Sequence, residues 1–264
     1  MNETLAMLLN RRTVRSFQDK EIAPEDKRII QEATLRAPTG GNMSPFSVID
    51  VTDATIKASL SDICDHQPMI AGAPMVWVFV ADWQKWYDWF KGDKCAEKSG
   101  RPLRTPALGD LDIAVQDALI AAETSVIAAE ALGIGSCYVG DVIENGEKLA
   151  DLLGLPRFAF PACMLIYGYK KEAKTGIPLL PRPPVGDMFM QDTYHRRSLD
   201  EIRKAYKEHE AHDRLTGRLP YEGKGSTADE LYRRKYTSDF MKEMTRSLAW
   251  WLQRWNDGNQ TVQD

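Results

Sequence analysis

Seven residues near the N-terminus, Arg11-Arg12-Thr13-Val14-Arg15-Ser16-Phe17, place three arginines and two hydroxyls close together. A guanidinium stays charged at any workable pH and presents a planar fork of donors, so this spacing suits a phosphate. The same cluster also reads as a solvated basic face at a helix end. Ala37-Pro38-Thr39-Gly40-Gly41-Asn42-Met43-Ser44-Pro45-Phe46 is the strongest turn signal in the chain. Its glycines and small polar side chains let backbone approach a ligand closely, although a plain connecting loop has the same composition. Ile134-Gly135-Ser136-Cys137-Tyr138-Val139-Gly140-Asp141 is a short strand broken by glycines, and Pro181-Arg182-Pro183-Pro184 carries an isolated arginine on a rigid extended segment.

Composition narrows what these segments serve. The chain has 264 residues, 43% hydrophobic and 27% charged, with a net charge of −4. That balance is ordinary for a globular protein and disfavours nucleic acid or an anionic membrane as partner. The basic clusters are therefore expected to hold something small. Cys64, Cys95, Cys137 and Cys163 form no CxxC pair and lie away from histidines at zinc spacing, so neither a disulfide frame nor a metal site is expected. His66, His195, His209 and His212 are scattered and read as surface or structural. The first residues read as a helix rather than a signal peptide, and no run reaches the ~18 apolar residues of a membrane span, so a cytoplasmic protein is expected. A GxGxxG turn is lacking, which argues against a Rossmann dehydrogenase.

The elements that would position the clusters can be read in order. A helix over 3–10 precedes the arginines. A second starts at Pro24 with acids in its first turn and runs to about Arg36, with Ile29, Ile30, Ala33 and Leu35 expected to face inward. A strand over 47–51 and a helix over 55–65 follow. Met75–Asp82 and Pro161–Tyr169 have the continuous apolar character of buried strands. Residues 83–104 are rich in tryptophan, tyrosine and lysine and read as packing or as a lid. Residues 112–132 form a long helix studded with alanine, which permits close packing inside a domain or across a dimer. Residues 146–153 form a small helix, 198–213 a charged one, and a Gly-containing linker over 215–226 leads to a final helical stretch from about Ala228. That stretch carries Trp250, Trp251 and Trp255, which need cover from the body of the protein or from a partner subunit. The division expected is a core over 1–196 and a helical extension over 197–264.

The segments RRTVRSF, APTGGNMSPF, GIGSCYVGDV and PRPP, with the bridge from Gln67 into WVFVAD, agree in order and spacing with one family. The sequence resembles the FMN-dependent nitroreductase and NAD(P)H flavin reductase family, nearest the branch of nitroreductase A and flavin reductase P. The resemblance implies an α+β fold: a central mixed, mostly antiparallel sheet flanked by helices, in an intertwined homodimer. It implies FMN as cofactor, NADPH or NADH as co-substrate, and ping-pong hydride transfer through flavin N5 to a flat, electron-poor acceptor. Side chains are not expected to act as covalent catalysts, because the flavin carries the chemistry.

By the same resemblance Arg11, Arg12 and Thr13 approach the FMN phosphate with Arg182, and Arg15 lies at the pyrimidine edge, where a cation favours the reduced anionic ring. Pro38, Thr39, Gly40, Gly41 and Asn42 line the flavin across the dimer interface. Gln67 hydrogen-bonds the ring, and Tyr138, Val139, Gly140 and Asp141 cover it near N5. Asp141 stands where one branch has glycine, and Leu180 where that branch has a phosphate-binding lysine; Lys170, Lys171 and Lys174 read as plain surface residues or as substitutes for it. Arg214–Arg218 falls near the region that holds the NADPH 2′-phosphate in that branch, and also reads as a plain exposed loop. The alternatives are another flavin reaction on the same fold, such as dehalogenation or ring fragmentation, or an FMN-binding protein without turnover.

Overall fold

The computed structural model describes residues 2–171, 179–219 and 225–257. In chain order the helices are α1 (Glu3–Asn10), α2 (Pro24–Thr34), α3 (Ala54–Ile63), α4 (Pro68–Ala71), α5 (Gln84–Gly92), α6 (Cys95–Ser99), α7 (Leu108–Ala131), α8 (Gly146–Leu153), α9 (Val185–Met188), α10 (Leu199–Ala205), α11 (Lys207–Leu215), α12 (Thr227–Leu231) and α13 (Asp239–Asn256). The strands are β1 (Phe46–Val51), β2 (Met75–Asp82), β3 (Ile134–Val139) and β4 (Ala159–Tyr169), paired in the order β1-β2-β4-β3. Every pairing is antiparallel, so the sheet expected as mixed is wholly antiparallel among the described residues.

The continuous apolar runs of the two central strands follow from cover on both faces. Val76, Val78, Met164 and Ile166 point into one cluster, with Leu60, Leu149, Trp251 and Trp255. Met75, Trp77, Phe79, Cys163, Leu165 and Tyr167 point into the other, with Ile30 and the alanines of α7. Pro161 cannot donate to the ladder, and the β2–β4 register shifts by a bulge between Phe79 and Val80 beside it. Ala114, Ala118, Ala121, Ala122 and Ala129 are fully buried, so the small face of α7 lies close on the sheet. Ser125 Oγ lies 2.6 Å from the Tyr167 hydroxyl at the centre of that contact.

Contact density divides the chain into two compact units with limits other than 196/197: Met1–Ala173 with Glu243–Asp264, and Lys174–Lys242. The first unit reclaims the end of the chain because two tryptophans are buried there. Trp251 packs edge-on against Phe160 and Trp255 against Phe158. Their indole N–H groups donate to Ile143 O at 3.3 Å and Ala107 O at 3.2 Å. A Cβ on Gly146 would lie 2.6 Å from Trp251 Nε1, so the absent side chain makes room for the helix. The cover these rings need thus comes from the protein's own core. The second unit is helical, with Asp213 taking Thr227 Oγ1 at 3.2 Å and facing His209 and Arg218.

Several local expectations change. α7 begins at Leu108, four residues before the sequence reading, because Asp110 accepts the Ala107 N–H and pairs with Arg104. On α2 only Ile30 and Thr34 are buried, while Ile29 and Leu35 stay exposed. The charged helix over 198–213 is two helices, and the last stretch is broken by a π-turn over Tyr232–Tyr236.

Candidate functional site

The arginine segment is seated by two apolar pins. Val14 N–H donates to Ser136 O at 2.9 Å on the free edge of β3, Phe17 forms an antiparallel bridge with Lys170, and Gln18 N–H donates to Tyr169 O at 2.8 Å. Gly135 and Gly168 are register partners on β3 and β4, and together they open a hole in the sheet surface. A Cβ on Gly135 would lie 2.5 Å from Val14 Cγ2, and one on Gly168 would lie 2.7 Å from the Phe17 ring. Val14 and Phe17 fill that hole, and Arg12, Thr13 and Arg15 are left exposed. Burial pushes the Cys137 thiol up, while the charges of nearby Arg15 and Arg11 pull the other way. Arg11 also opposes the upward shift that burial gives the Tyr138 hydroxyl. Arg11 and Arg15 therefore stand beside the end of β3 that leads into Gly140 and Asp141.

Gln67 reaches the same place from the other side. It follows two residues with positive φ, Asp65 and His66, and caps α4. Its backbone is fixed to Ser61 by Gln67 N–H to Ser61 O at 2.9 Å and Ser61 Oγ to Gln67 O at 2.7 Å. Its amide donates to Asp141 Oδ2 at 2.6 Å and to Cys64 O at 3.0 Å, so both amide hydrogens are committed. Asp141 thus orients Gln67 and leaves its amide oxygen as the acceptor. Beyond Gly140 the backbone borders open space, since a Cβ there would meet nothing within 4 Å.

Glu144, which sequence reasoning missed, is only 4% exposed. Its carboxyl is pushed up from 4.5 to about 7, first by burial, then by the negative charges of Asp141, Asp65 and Glu243. Between those values the folded protein holds a proton that the unfolded chain has lost. Stability on this account is highest below pH 4.5, declines as pH rises, and is lost above 7. Glu144→Gln is expected to stabilise the protein by about 1–2 kcal/mol at pH 8, after allowing for solvent screening, and not at pH 4.5. Urea unfolding at the two pH values checks this, and an equal effect at both would contradict it.

The second loop is anchored elsewhere. Asp117, buried on α7, accepts the Thr39 hydroxyl and the Gly40 N–H at 3.1 Å. Thr39 Oγ1 in turn accepts Ser44 N–H at 2.8 Å. Gly41, Asn42 and Ser44 all have positive φ, a strained run that this carboxylate holds in place. The signal was present: Ala114, Asp117, Ala118 and Ala121 share one helical face, so the acid belongs to the buried stripe. The contacts thus form two groups, one joining Arg11–Arg15, Gln67 and Tyr138–Asp141, the other joining Pro38–Asn42 to Asp117.

Arg182 lies exposed in the second unit. Lys170 is paired with Glu130 at 2.8 Å, Lys171 is exposed, and Lys174 lies outside the described residues. Arg214 bonds Glu210 and the Gly225 carbonyl, both at 2.9 Å, and Arg218 faces Asp213.

The Nitroreductase family model matches residues 8–169. The FMN reductase [NAD(P)H] of Bacillus subtilis (strain 168) is 32% identical over 212 residues, covering 79% of this chain and 81% of that protein. The oxygen-insensitive NADPH nitroreductase of Salmonella typhimurium is 26% identical over 181 residues, covering 69% and 71%. The crystal structure of nitroreductase A from Vibrio parahaemolyticus matches with a TM-score of 0.77 over 93% of this chain and 96% of that one; at 21% identity this likeness concerns the fold alone.

Proposed function

The chain belongs to the nitroreductase family, and from that membership we infer that it is an FMN-dependent NAD(P)H oxidoreductase acting on a small-molecule electron acceptor. The observation that carries the assignment to particular residues is the Gly135–Gly168 seat, which fixes three arginines beside a glycine-bordered strand end. That donor set fits FMN. Arg11, Arg12 and Thr13 would hold its phosphate. Arg15 would stand at the pyrimidine edge of the ring, Gln67 would hydrogen-bond the ring through its free amide oxygen, and Tyr138, Val139, Gly140 and Asp141 would cover it.

Bound FMN supplies the hydride exchange with nicotinamide and acceptor. The chain supplies the electrostatics. Arg15, a permanent cation, favours negative charge at the pyrimidine edge. Asp141 and the Cys64 carbonyl hold the Gln67 amide by its hydrogens, so its oxygen would be the atom left to accept from the ring.

The second group, Pro38, Thr39, Gly40, Gly41 and Asn42 on Asp117, would complete the site from a second copy of the chain. Exposed Leu9 on α1, Leu35 just past α2, and Ile113, Leu119 and Ile120 on α7 offer an apolar surface for such a homodimer. Among the described residues no helix is long and apolar enough to cross a membrane, and a cytoplasmic setting suits the proposed chemistry.

Reconstitution with FMN is expected to give a yellow protein at one flavin per chain, bleached by NADPH or NADH under anaerobic conditions and reoxidised by a quinone. A protein that retains no FMN on gel filtration would overturn the flavin reading. One that binds FMN but is bleached by neither nicotinamide would overturn the reductase reading alone.

A further inference from the structure

The tryptophan-rich segment between β2 and α7 builds a cavity of about 470 Å³, within the size range of small-molecule sites. Trp83, Tyr87, Phe90, Pro102, Leu103 and Pro106 give it flat apolar walls, and Met43 closes one side. The walls are held from behind. Trp83 Nε1 donates to Asp110 O at 2.6 Å, and Tyr87 packs edge-on against Phe158 at 5.2 Å. The neighbouring Trp86 Nε1 donates to Met43 O at 3.0 Å. Such a pocket is formed before a ligand arrives, so little ordering cost opposes binding.

Its charge is one-sided. Arg101 and Arg104 line the cavity, and neither aspartate nor glutamate does. Arg104 is spent on Asp110, with Nη2 2.9 Å from Oδ1 and a second bond from Nη1 to Oδ2. Arg101 is exposed and its guanidinium has no ion pair among the described residues. Aromatic and proline walls select a flat apolar body, and one uncompensated guanidinium selects an anionic substituent.

We propose that this cavity binds a flat aromatic carboxylate, with the ring between the aromatic side chains and the carboxylate on Arg101. The site stands on its own geometry and does not depend on the flavin reading. Because Met43 directly follows Asn42, a ligand here sits at the end of the Pro38–Asn42 loop.

The test is calorimetric titration of the FMN-saturated protein with 2-naphthoate and with its neutral counterpart 2-naphthamide. Naphthoate is expected to bind at least about tenfold more tightly than naphthamide. Arg101→Gln, an exposed substitution, should abolish that preference and leave naphthamide binding unchanged. Ala96→Trp, which fills the cavity, should abolish both. Equal affinity for the two probes, an Arg101→Gln variant that keeps the preference, or binding that survives Ala96→Trp would each overturn the proposal. So would loss of the bound-flavin absorbance during the titration, which would place the naphthoate on the flavin site.

Discussion

Gly135→Val is expected to weaken FMN binding by about tenfold to a hundredfold while leaving the far-ultraviolet circular dichroism of the protein intact. The first added atom alone would lie 2.5 Å from Val14 Cγ2, 2.9 Å from Val14 Cβ and 3.0 Å from Lys170 Cγ. Forcing extra carbon into a filled site costs about 1–3 kcal/mol. The strand cannot yield, because Ser136 and Cys137 are paired with Tyr167 and Ile166 on β4. The Val14 side chain yields instead. Arg15 is its neighbour and Arg12 lies two residues before it, so displacing the pin displaces the guanidiniums proposed to hold FMN. The fold itself need not change; an ångström-scale change in donor position suffices, since each tenfold in affinity corresponds to about 1.4 kcal/mol. Flavin fluorescence titration reads the effect, and an affinity equal to the parent's would show that the seat does not position the site.

Asp117→Ala is expected to destabilise the protein by about 2–4 kcal/mol and to raise the FMN dissociation constant with it. A hydrogen bond to a charged group is worth about 1.5–3 kcal/mol. Asp117 accepts from both Thr39 and Gly40, and it is 4% exposed, so water cannot replace it in the native fold. Without it, the positive-φ run through Gly41, Asn42 and Ser44 has lost its main anchor. Asp117→Asn keeps one acceptor oxygen and should fall between the two. Urea unfolding followed by intrinsic fluorescence separates the three proteins, and coincident transitions for Asp117→Ala and the parent would remove Asp117 from the site.

Much of this was legible in the residues, and the exceptions have physical causes. The central strands could be read from β2 and β4 alone, because cover on both faces leaves an unbroken apolar run. α7 could be read from its alanines, but its start could not: Asp110 caps it only after Arg104 has folded back upon it. Ile29 and Leu35 look inward-facing by periodicity, yet a single chain buries only the Ile30–Thr34 face. The tryptophans of α13 announced that they needed cover without saying whose. The arginines could be recognised by charge, whereas their seat could not, because Gly135 and Gly168 acquire meaning only once they face each other across two strands. Asp117 was hidden among alanines, and Glu144 was hidden because its raised carboxyl results from burial first, and then from acids that folding brings near it.

The Gly135–Gly168 hole also imposes an order on assembly. Val14 and Phe17 belong to the beginning of the chain, while the two strands that receive them complete the sheet much later in sequence. Closing so long a loop is entropically costly and yields nothing until β3 and β4 have paired. The guanidiniums therefore converge among the last events of folding, after the surface that orients them exists. A cofactor held by those guanidiniums stabilises the finished sheet and not its precursors, which makes its binding free energy a selective support for complete molecules.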